Sequence, residues 1–439
     1  MVGIMQKIAV LGASGLIGEA ITHALRIQGH DVTPIARRFT TGQILSLETA
    51  VETDFTSLDD SDLFTLIDSF DVIINCVGIL QDTPSGNTKD VHTEFVSRLV
   101  SAMTQDEKPR LLIHLSIPGQ KENDTTPFAT TKREAEGVIS SSSLDHIILR
   151  PGFVYAPGAF GGSALLRSVA ALPIDLPDEY RAKPFRFTAL QDIADTVLTV
   201  IEARKSEKKS YREIWDVMSP DPQTVGTTVD ALRRWLGGPG FRMSSPKWLI
   251  APLAKTGDFA AKLGWRPPLR TTAIKELERG VEGDPSRWLE ATGLKPTHLL
   301  DALQIRPATI QERWFSRLYL LKALTLPTLF VFWTLSGLIA LTVAFDAASN
   351  ILTSHGFPLW AAYAITVVSS LIDILVGLAI IWRRTCAIGL LAGIGVSIFY
   401  MIGAAILTPD MWIEPLGALV KTGPAIVLML VGLAILDDR

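Results

Sequence analysis

Apolar residues follow two rhythms along this chain. As far as about residue 300 they come in short bursts separated by polar stretches; beyond that they form long runs. The first burst, Ile8 to Leu11, meets a glycine turn. Ile17, Ile21, Ala24 and Leu25 then recur at helical spacing, Gly29 supplies a helix stop, and Val32 to Ala36 reads as a second strand. Residues 7–38 therefore predict one β-α-β unit. Further strand candidates are Val72–Val77, Leu111–Leu115 and His146–Leu149, with helices between them. This alternation predicts a parallel sheet covered on both faces. We expect a doubly wound α/β core to about residue 155 and a smaller α+β substrate region over 156–305, including the helical stretch within 186–203. Residues 236–270 are rich in Gly, Pro and Trp and show weak periodicity. Apart from the serine run 140–143 there is no low-complexity segment, and no repeat of solenoid length precedes the long apolar runs.

The second rhythm has four runs, about 324–345, 358–382, 386–408 and 416–436. Each approaches the ~20 residues that a helix needs to cross a bilayer. They predict a four-helix transmembrane bundle over 324–439, behind a basic juxtamembrane linker at 306–323. Arg306, Arg313, Arg317 and Lys322 precede the first run, and Arg383-Arg384 separate the second and third. The loops near 346–357 and 409–415 contain no Lys or Arg. By the positive-inside rule the N-terminal domain, the Arg383-Arg384 turn and the C-terminus are cytoplasmic. The lipid bilayer, as the cytoplasmic (inner) membrane, is the first expected partner.

Composition narrows the function. The 439 residues are 48% hydrophobic, and the net charge is −4. Phosphate contacts need a basic surface, so a nucleic-acid partner is not expected. The two cysteines, Cys76 and Cys386, lie in different halves, and the seven histidines include no i, i+4 pair. Neither a disulfide framework nor a metal site is expected. The opening "MVGIMQKIAVLGASG" lacks the regions of a signal peptide and runs straight into the glycine turn, which reads as mature structure in a reducing compartment.

The glycine turn carries the clearest chemistry. It reads Gly12-Ala-Ser14-Gly15-Leu16-Ile17-Gly18, between strand and helix. Gly12 permits a tight turn, Gly15 lets backbone approach a pyrophosphate, and Gly18 lets the helix pack close to the strand. The helix N-terminus offers unpaired N–H groups to phosphate. Arg37 and Arg38 end the second strand. A carboxylate there would grip the ribose 2′-hydroxyl of NAD(H), whereas an arginine suits the 2′-phosphate of NADP(H). NADP(H) is thus the preferred cofactor, with NAD(H) as the second reading; a solvated charge pair is the plainer one.

Residues 7–155 resemble the extended or atypical short-chain dehydrogenases, with their Rossmann-type fold. They are most similar to the branch containing the nucleotide-binding accessory subunit of respiratory complex I. The matching pieces are "GASGLIG" (12–18), "TDFTS" (53–57), "NCVG" (75–78), "HLS" (114–116), "FATTKREAE" (128–136) and "LRPGFVYAPG" (149–158). The resemblance implies that Asp54 and Phe55 lie near the adenine, and that Val77 and Gly78 line the pyrophosphate or ribose side. Lys132 would hold the nicotinamide ribose, and Pro151, Gly152, Phe153 and Val154 would approach the nicotinamide amide. Ser116 and Lys132 match the family's catalytic serine and lysine. The departure is Phe128, which stands where the family has its tyrosine acid. Losing a general acid–base typically costs ~10²–10⁴ in rate. Tyr155 and His114 are the candidate substitutes; Tyr155 also suits packing beside the cofactor, and His114 a position facing away from it.

The last four runs resemble the DoxX-like membrane family. Gly389-x-x-x-Gly393 permits close helix contact. Asp373 lies well inside the second run, an expensive place for a carboxylate. It reads either as a proton or quinone-headgroup site or as a structural polar contact, with Lys421 a candidate partner. Two functions follow. One is a membrane-bound NAD(P)H-dependent reductase of a quinone or other lipophilic acceptor. The other is a non-catalytic nucleotide-binding sensor or scaffold subunit of a membrane complex.

Overall fold

The computed structural model describes residues 6–47, 49–82, 86–207, 209–413 and 417–437. The opening Met1–Met5, part of the stretch read above for a signal peptide, lies outside them. The chain divides into two compact units, one of residues 1–255 with 268–313, the other of 256–267 with 314–439.

The first unit opens with β1 (Lys7–Leu11), α1 (Leu16–Ile27), β2 (Asp31–Ala36), α2 (Thr41–Ser46), β3 (Val51–Glu52) and α3 (Asp60–Ile67). There follow β4 (Val72–Asn75), a π-helical turn at Asp90–Glu94, α4 (Phe95–Met103), β5 (Leu111–Leu115), α5 (Pro127–Ser141) and β6 (Asp145–Pro151). Next come β7 (Phe153–Tyr155), α6 (Gly161–Ala171), β8 (Ile174–Asp175), α7 (Asp178–Arg181), β9 (Phe187–Ala189), α8 (Leu190–Glu207) and β10 (Arg212–Val217). The rest is α9 (Val225–Leu236), β11 (Met243–Ser244), α10 (Lys247–Lys262), which passes into the second unit at residue 256, α11 (Thr271–Arg279), α12 (Ser286–Thr292) and α13 (Leu299–Ile305).

Among the described residues seven strands make one sheet in the order β10-β6-β5-β4-β1-β2-β3. Every pairing in it is parallel. The apolar bursts have this shape because both faces are buried. Along β1, Ile8 and Val10 pack into one core layer, while Ala9 and Leu11 pack into the other. Burying each such aliphatic side chain is worth roughly 1.5–3 kcal/mol. The order reverses between β1 and β4, the switch point where parallel α/β sheets bind ligands. Trp288 on α12 is fully buried and donates from Nε1 to Thr196 Oγ1 on α8 at 2.9 Å. That bond fastens α12 to the sheet's helical cover.

The second unit contains α14 (Ile310–Leu341), α15 (Phe345–Ser354), α16 (Leu359–Ile381), α17 (Cys386–Leu407) and α18 (Ala418–Ala434). α14 begins well before residue 324, so the segment read as a linker is helical from Ile310. Among the described residues, three helices are long and apolar enough to cross a membrane. α18 has 17 residues and is shorter than the expected fourth run. The helices pack closely at small residues: a Cβ on Gly389 would come within 2.8 Å of the Ile380 nitrogen. Lys322 Nζ donates to the Leu436 carbonyl at 2.8 Å, so the bundle's entry and exit share one end.

Candidate functional site

The switch point is built by the glycine turn. Gly12 adopts φ +77°, and a Cβ there would press within 3.0 Å of the Cys76 and Val77 backbone. Gly12 N–H donates to Ile35 O at 2.8 Å, tying the turn to β2. A Cβ on Gly18 would meet Ala13 Cα at 2.9 Å, so only glycine lets α1 start this close to β1. Gly15 caps α1 without a side-chain hydrogen bond. The first N–H groups of α1 are thus open to an anion. Ser14 O accepts from Gln43 Nε2 at 3.2 Å, and Leu16 and Ile17 form the first turn behind it. These are the features that a dinucleotide pyrophosphate requires.

The adenine end is less uniform. Arg37 and Arg38 follow β2, are exposed, and have no ion-pair partner among the described residues. Asp54 Oδ1 accepts from the Thr56 N–H at 3.2 Å and the Thr56 hydroxyl at 2.8 Å, closing a turn. Phe55 departs from the simplest reading of its place. Its side chain is buried against Phe95, with ring centroids 5.3 Å apart. Only its backbone remains to face a base.

Lys132 lies four residues along α5 from Phe128. Thr126 caps that helix by accepting from Ala129 N–H at 3.1 Å, with Pro127 in the first turn. Lys132 Nζ donates to Leu115 O at 2.8 Å and Val77 O at 3.3 Å. Burial pushes its pKa down to about 8, against the pull of Cys76 and Glu136. A Cβ on Gly78 would come within 3.3 Å of Nζ, so the glycine keeps the ammonium approachable. Ser116 follows β5, held by its N–H to Leu149 O at 2.8 Å. Its hydroxyl sits beside Glu136 and helps keep that carboxylate ionised, yet no partner meets hydrogen-bond geometry. Phe128 is half-buried, its ring edge-on to His92 at 5.7 Å between centroids. Pro151 ends β6. Gly152 N–H donates to Thr188 Oγ1 at 2.7 Å, Phe153 stacks on Phe185 at 4.4 Å, and Val154 pairs with Thr188 in the β7–β9 ribbon.

Neither candidate substitute acid is poised. Tyr155 is buried under the Arg167 guanidinium, 4.7 Å from the ring centroid. Burial pushes its hydroxyl pKa up, the wrong direction for an activated phenol. His114 is fully buried with Nδ1 3.1 Å from Asn75 Nδ2. Burial, then Lys132 and His92, push it far below the usual imidazole range, so it stays neutral.

Sequence reasoning missed two supports. His92 Nε2 accepts from the Ile79 N–H at 3.1 Å, which leaves Nδ1 as the donor to Thr131 Oγ1 at 2.9 Å. It clamps the loop after β4 to α5. Burial and then Lys132 push its pKa down to about 3. The second support is ionic. Glu136 on α5 accepts from Arg133 Nη1 at 3.0 Å and Arg150 Nε at 2.8 Å. Arg133 also bonds Asp124 at 2.9 Å, and Arg279 reaches the same carboxylate at 2.9 Å. Burial pushes Glu136 up, but Arg150, Ser116 and Arg133 outweigh it and hold it below the usual carboxylate range. Glu136 lies inside the "FATTKREAE" motif, but nothing local announces its partners.

In the helical unit Asp373 is buried, and its Oδ1 accepts from Tyr400 Oη at 3.0 Å. Tyr400 replaces Lys421 as the partner; Lys421 is exposed on α18. A Cβ on Gly337 would press within 3.1 Å of Asp373 Cβ, so the helices meet closely there. The arrangement favours a structural polar contact.

Two family matches fit this division. Residues 8–211 match the NAD dependent epimerase/dehydratase family, and residues 330–430 match the DoxX-like family. The chain thus joins an epimerase/dehydratase-type domain, with a short-chain-dehydrogenase-like Rossmann fold, to a C-terminal DoxX-like domain. A 3-diazoavenalumate denitrifying reductase from a Streptomyces species is 27% identical over 323 residues, covering 66% of this chain and 96% of its own. Among solved structures, MoeE5 in complex with UDP-glucose and NAD aligns at TM-score 0.52 with 18% identity, over 72% of this chain and 99% of its own. UDP-glucuronic acid 4-epimerase from Bacillus cereus, in complex with UDP-glucuronic acid and NAD, aligns at TM-score 0.52 with 17% identity. It covers 71% of this chain and 100% of its own. These matches carry the class and do not reach the respiratory-complex branch.

Proposed function

We propose that this chain is a membrane-anchored NAD(P)H-dependent reductase whose acceptor takes hydride without a tyrosine acid. The observation that carries it is the pairing of an intact Lys132 site with Phe128 at the acid position. The residues fit a dinucleotide: a cradle that a Cβ would fill at Gly12 and Gly18, an open N-terminus on α1, and an unbonded Ser116 hydroxyl. Gly12 to Gly18 would hold the pyrophosphate, with Val77 and Gly78 opposite. Asp54 and the Phe55 backbone would flank the adenine. Lys132 would donate to the ribose hydroxyls, and Pro151 to Val154 would border the nicotinamide. That cofactor supplies the hydride. Ser116 would orient the acceptor, and the Phe128 ring would exclude water beside it.

The acceptor must be electron-poor and must not need an alkoxide protonated by the protein. A quinone meets that condition, since its reduced oxygen is stabilised by the ring and takes its proton from solvent. An aryl diazonium carbon also meets it: hydride forms the C–H bond while the C–N bond breaks and N₂ leaves with its electron pair, so no proton is required. The Streptomyces relative, named for reductive removal of nitrogen from a diazo compound, supports this type of chemistry. The unpaired Arg37 and Arg38 favour NADP(H) through its 2′-phosphate, with NAD(H) as the alternative. Arg37→Ser with Arg38→Ser should weaken NADPH binding and leave NADH binding nearly unchanged.

The test uses the detergent-solubilised full chain. NADPH oxidation is followed by absorbance on adding a soluble quinone and then an aryl diazonium salt. Steady oxidation with either supports the reductase. Tight NADPH binding without turnover across both would move the conclusion to a non-catalytic nucleotide-binding subunit.

A further inference from the structure

α10 has two opposed faces. Ile250, Ala254 and Gly257 recur at i, i+4 and i+7 and are buried against the protein. On the opposite side Trp248 and Phe259 stand out, 74% and 63% exposed, with Pro252 between them. Trp248 and Phe259 are eleven residues apart, which returns a helix to within about 20° of the same direction. Lys255 lies on this face between the two aromatics, Lys262 lies just beside it, and both are exposed. Exposed aromatics interleaved with lysines on one helix face are the mixture that suits a membrane interface.

Where α10 leads identifies that occupant. Its last two turns and the loop behind it, residues 256–267, belong to the helical unit. Trp265 Nε1 donates to Ile381 O, the last residue of α16, at 2.7 Å. Arg383 N–H donates to Leu263 O at 3.1 Å, and its guanidinium lies 5.4 Å from the Trp265 ring centroid. Phe259 and Lys262 are thus fixed at the end of the bundle where α16 stops and α17 begins. That is the basic end, shared by Lys322 and Arg383.

We propose that α10 is an interfacial helix, its Trp248–Phe259 face seated at the headgroup–acyl boundary of the leaflet at this end. The inference rests on the reading of the helical unit as membrane-spanning. Trp and Phe favour that depth, and lysine stems lie along the apolar surface while their ammonium groups reach anionic headgroups. Charge agrees: residues 241–270 contain six Lys or Arg and a single acid, Asp258, in a chain whose net charge is −4.

The test is nitroxide depth measurement on the full chain in vesicles of phosphatidylethanolamine and phosphatidylglycerol. Labels are placed by Trp248→Cys, Phe259→Cys, Phe399→Cys and Leu45→Cys, each with Cys76→Ala and Cys386→Ala. Phe399, exposed on α17, calibrates the bilayer interior, and Leu45, exposed on α2, calibrates water. The expected result is an oxygen-to-nickel-chelate accessibility ratio at Trp248 and Phe259 several-fold above Leu45 and below Phe399. Labels at Trp248 and Phe259 that read like Leu45, while Phe399 reads deep, overturn the inference alone. A Phe399 label that reads like water overturns the membrane-spanning reading beneath it. Strong dipolar broadening between labels on two chains would show that a second copy covers the face, and would also overturn it.

Discussion

Replacing Lys132 with Met probes the site at its centre. The substitution keeps most of the side-chain volume and removes the ammonium. Two effects on the empty protein oppose each other. Leu115 O and Val77 O lose their donor, which costs ~1–3 kcal/mol for each carbonyl left buried and unbonded. Against this, a charge that burial disfavours is removed. The net change in melting temperature should be a few degrees at most. Cofactor binding has no such compensation. A hydrogen bond from an ammonium to a ribose hydroxyl is worth ~1.5–3 kcal/mol, so the Kd for NADPH should rise about 10- to 150-fold.

The pH profile sharpens the test. Lys132 titrates at about 8, below its ordinary 10.5. NADPH affinity of the unmodified chain should hold below pH 8 and weaken above it, as the ammonium is lost. Lys132→Met should show a flat profile through the same window. Folding stability has the opposite sign. Between pH 8 and 10.5 the unfolded chain binds more protons at this residue, so its contribution to stability rises with pH. The burial penalty is present in full below pH 8. Calorimetric NADPH titrations from pH 6.5 to 9.5 on both proteins provide the measurement. A Lys132→Met protein that binds NADPH as the unmodified chain does would refute the assignment of Lys132 to the ribose.

Phe128→Tyr restores the family's acid in a half-buried position four residues from Lys132. NADPH affinity should change less than threefold and reduction of a simple aldehyde should appear; a collapse of binding would show the segment misplaced. Glu136→Gln leaves Arg133 and Arg150 without their shared carboxylate. Breaking a buried pair this way costs ~3–5 kcal/mol, so thermal unfolding of the nucleotide-binding unit should fall by roughly 6–15 °C, and a shift under 2 °C would contradict the burial of the network. Asp373→Asn keeps an acceptor for the Tyr400 hydroxyl. Bundle stability and turnover with a lipophilic acceptor should both persist, and loss of turnover in a well-folded variant would reveal the carboxylate as a proton site.

The sheet was legible because each central strand is buried on both faces and so reads as a continuous apolar burst. The glycine turn was legible because backbone sterics leave no other residue at Gly12 and Gly18. What stayed hidden depends on partners far apart in the chain. His92 lies in a π-helical turn and meets Ile79 and Thr131 only when α5 folds back over the loop. The ionic support runs from Asp124 to Arg279 and has no local period. Tyr400 is an ordinary aromatic within an apolar run, and only the packing of α16 on α17 shows it to be Asp373's donor. α10 was obscured by composition. Gly, Pro and Trp blurred its period, yet Pro252 is accommodated within the helix.

With Phe128 in place of a tyrosine, the Lys132 site stands for a geometric reason. Lys132 is positioned by two backbone carbonyls and by the network around Glu136, none of which involves the side chain at 128. The lysine's placement does not depend on a tyrosine at 128. A chain can therefore exchange its acid for a ring that packs on His92 and keep its dinucleotide cradle. Ser116 weighs against a cradle kept only as scaffold. Its hydroxyl lies beside the Glu136 carboxylate without full hydrogen-bond geometry, which leaves it able to bond a ligand as well. Such a group is best explained by a ligand that completes it. Because Ser116 follows β5, next to the Leu115 carbonyl that holds Lys132, such a ligand would lie at the Lys132 end of the cleft and not at the adenine end. Under the proposed reductase reading, Ser116 would orient an acceptor that does not need a proton from Phe128's position.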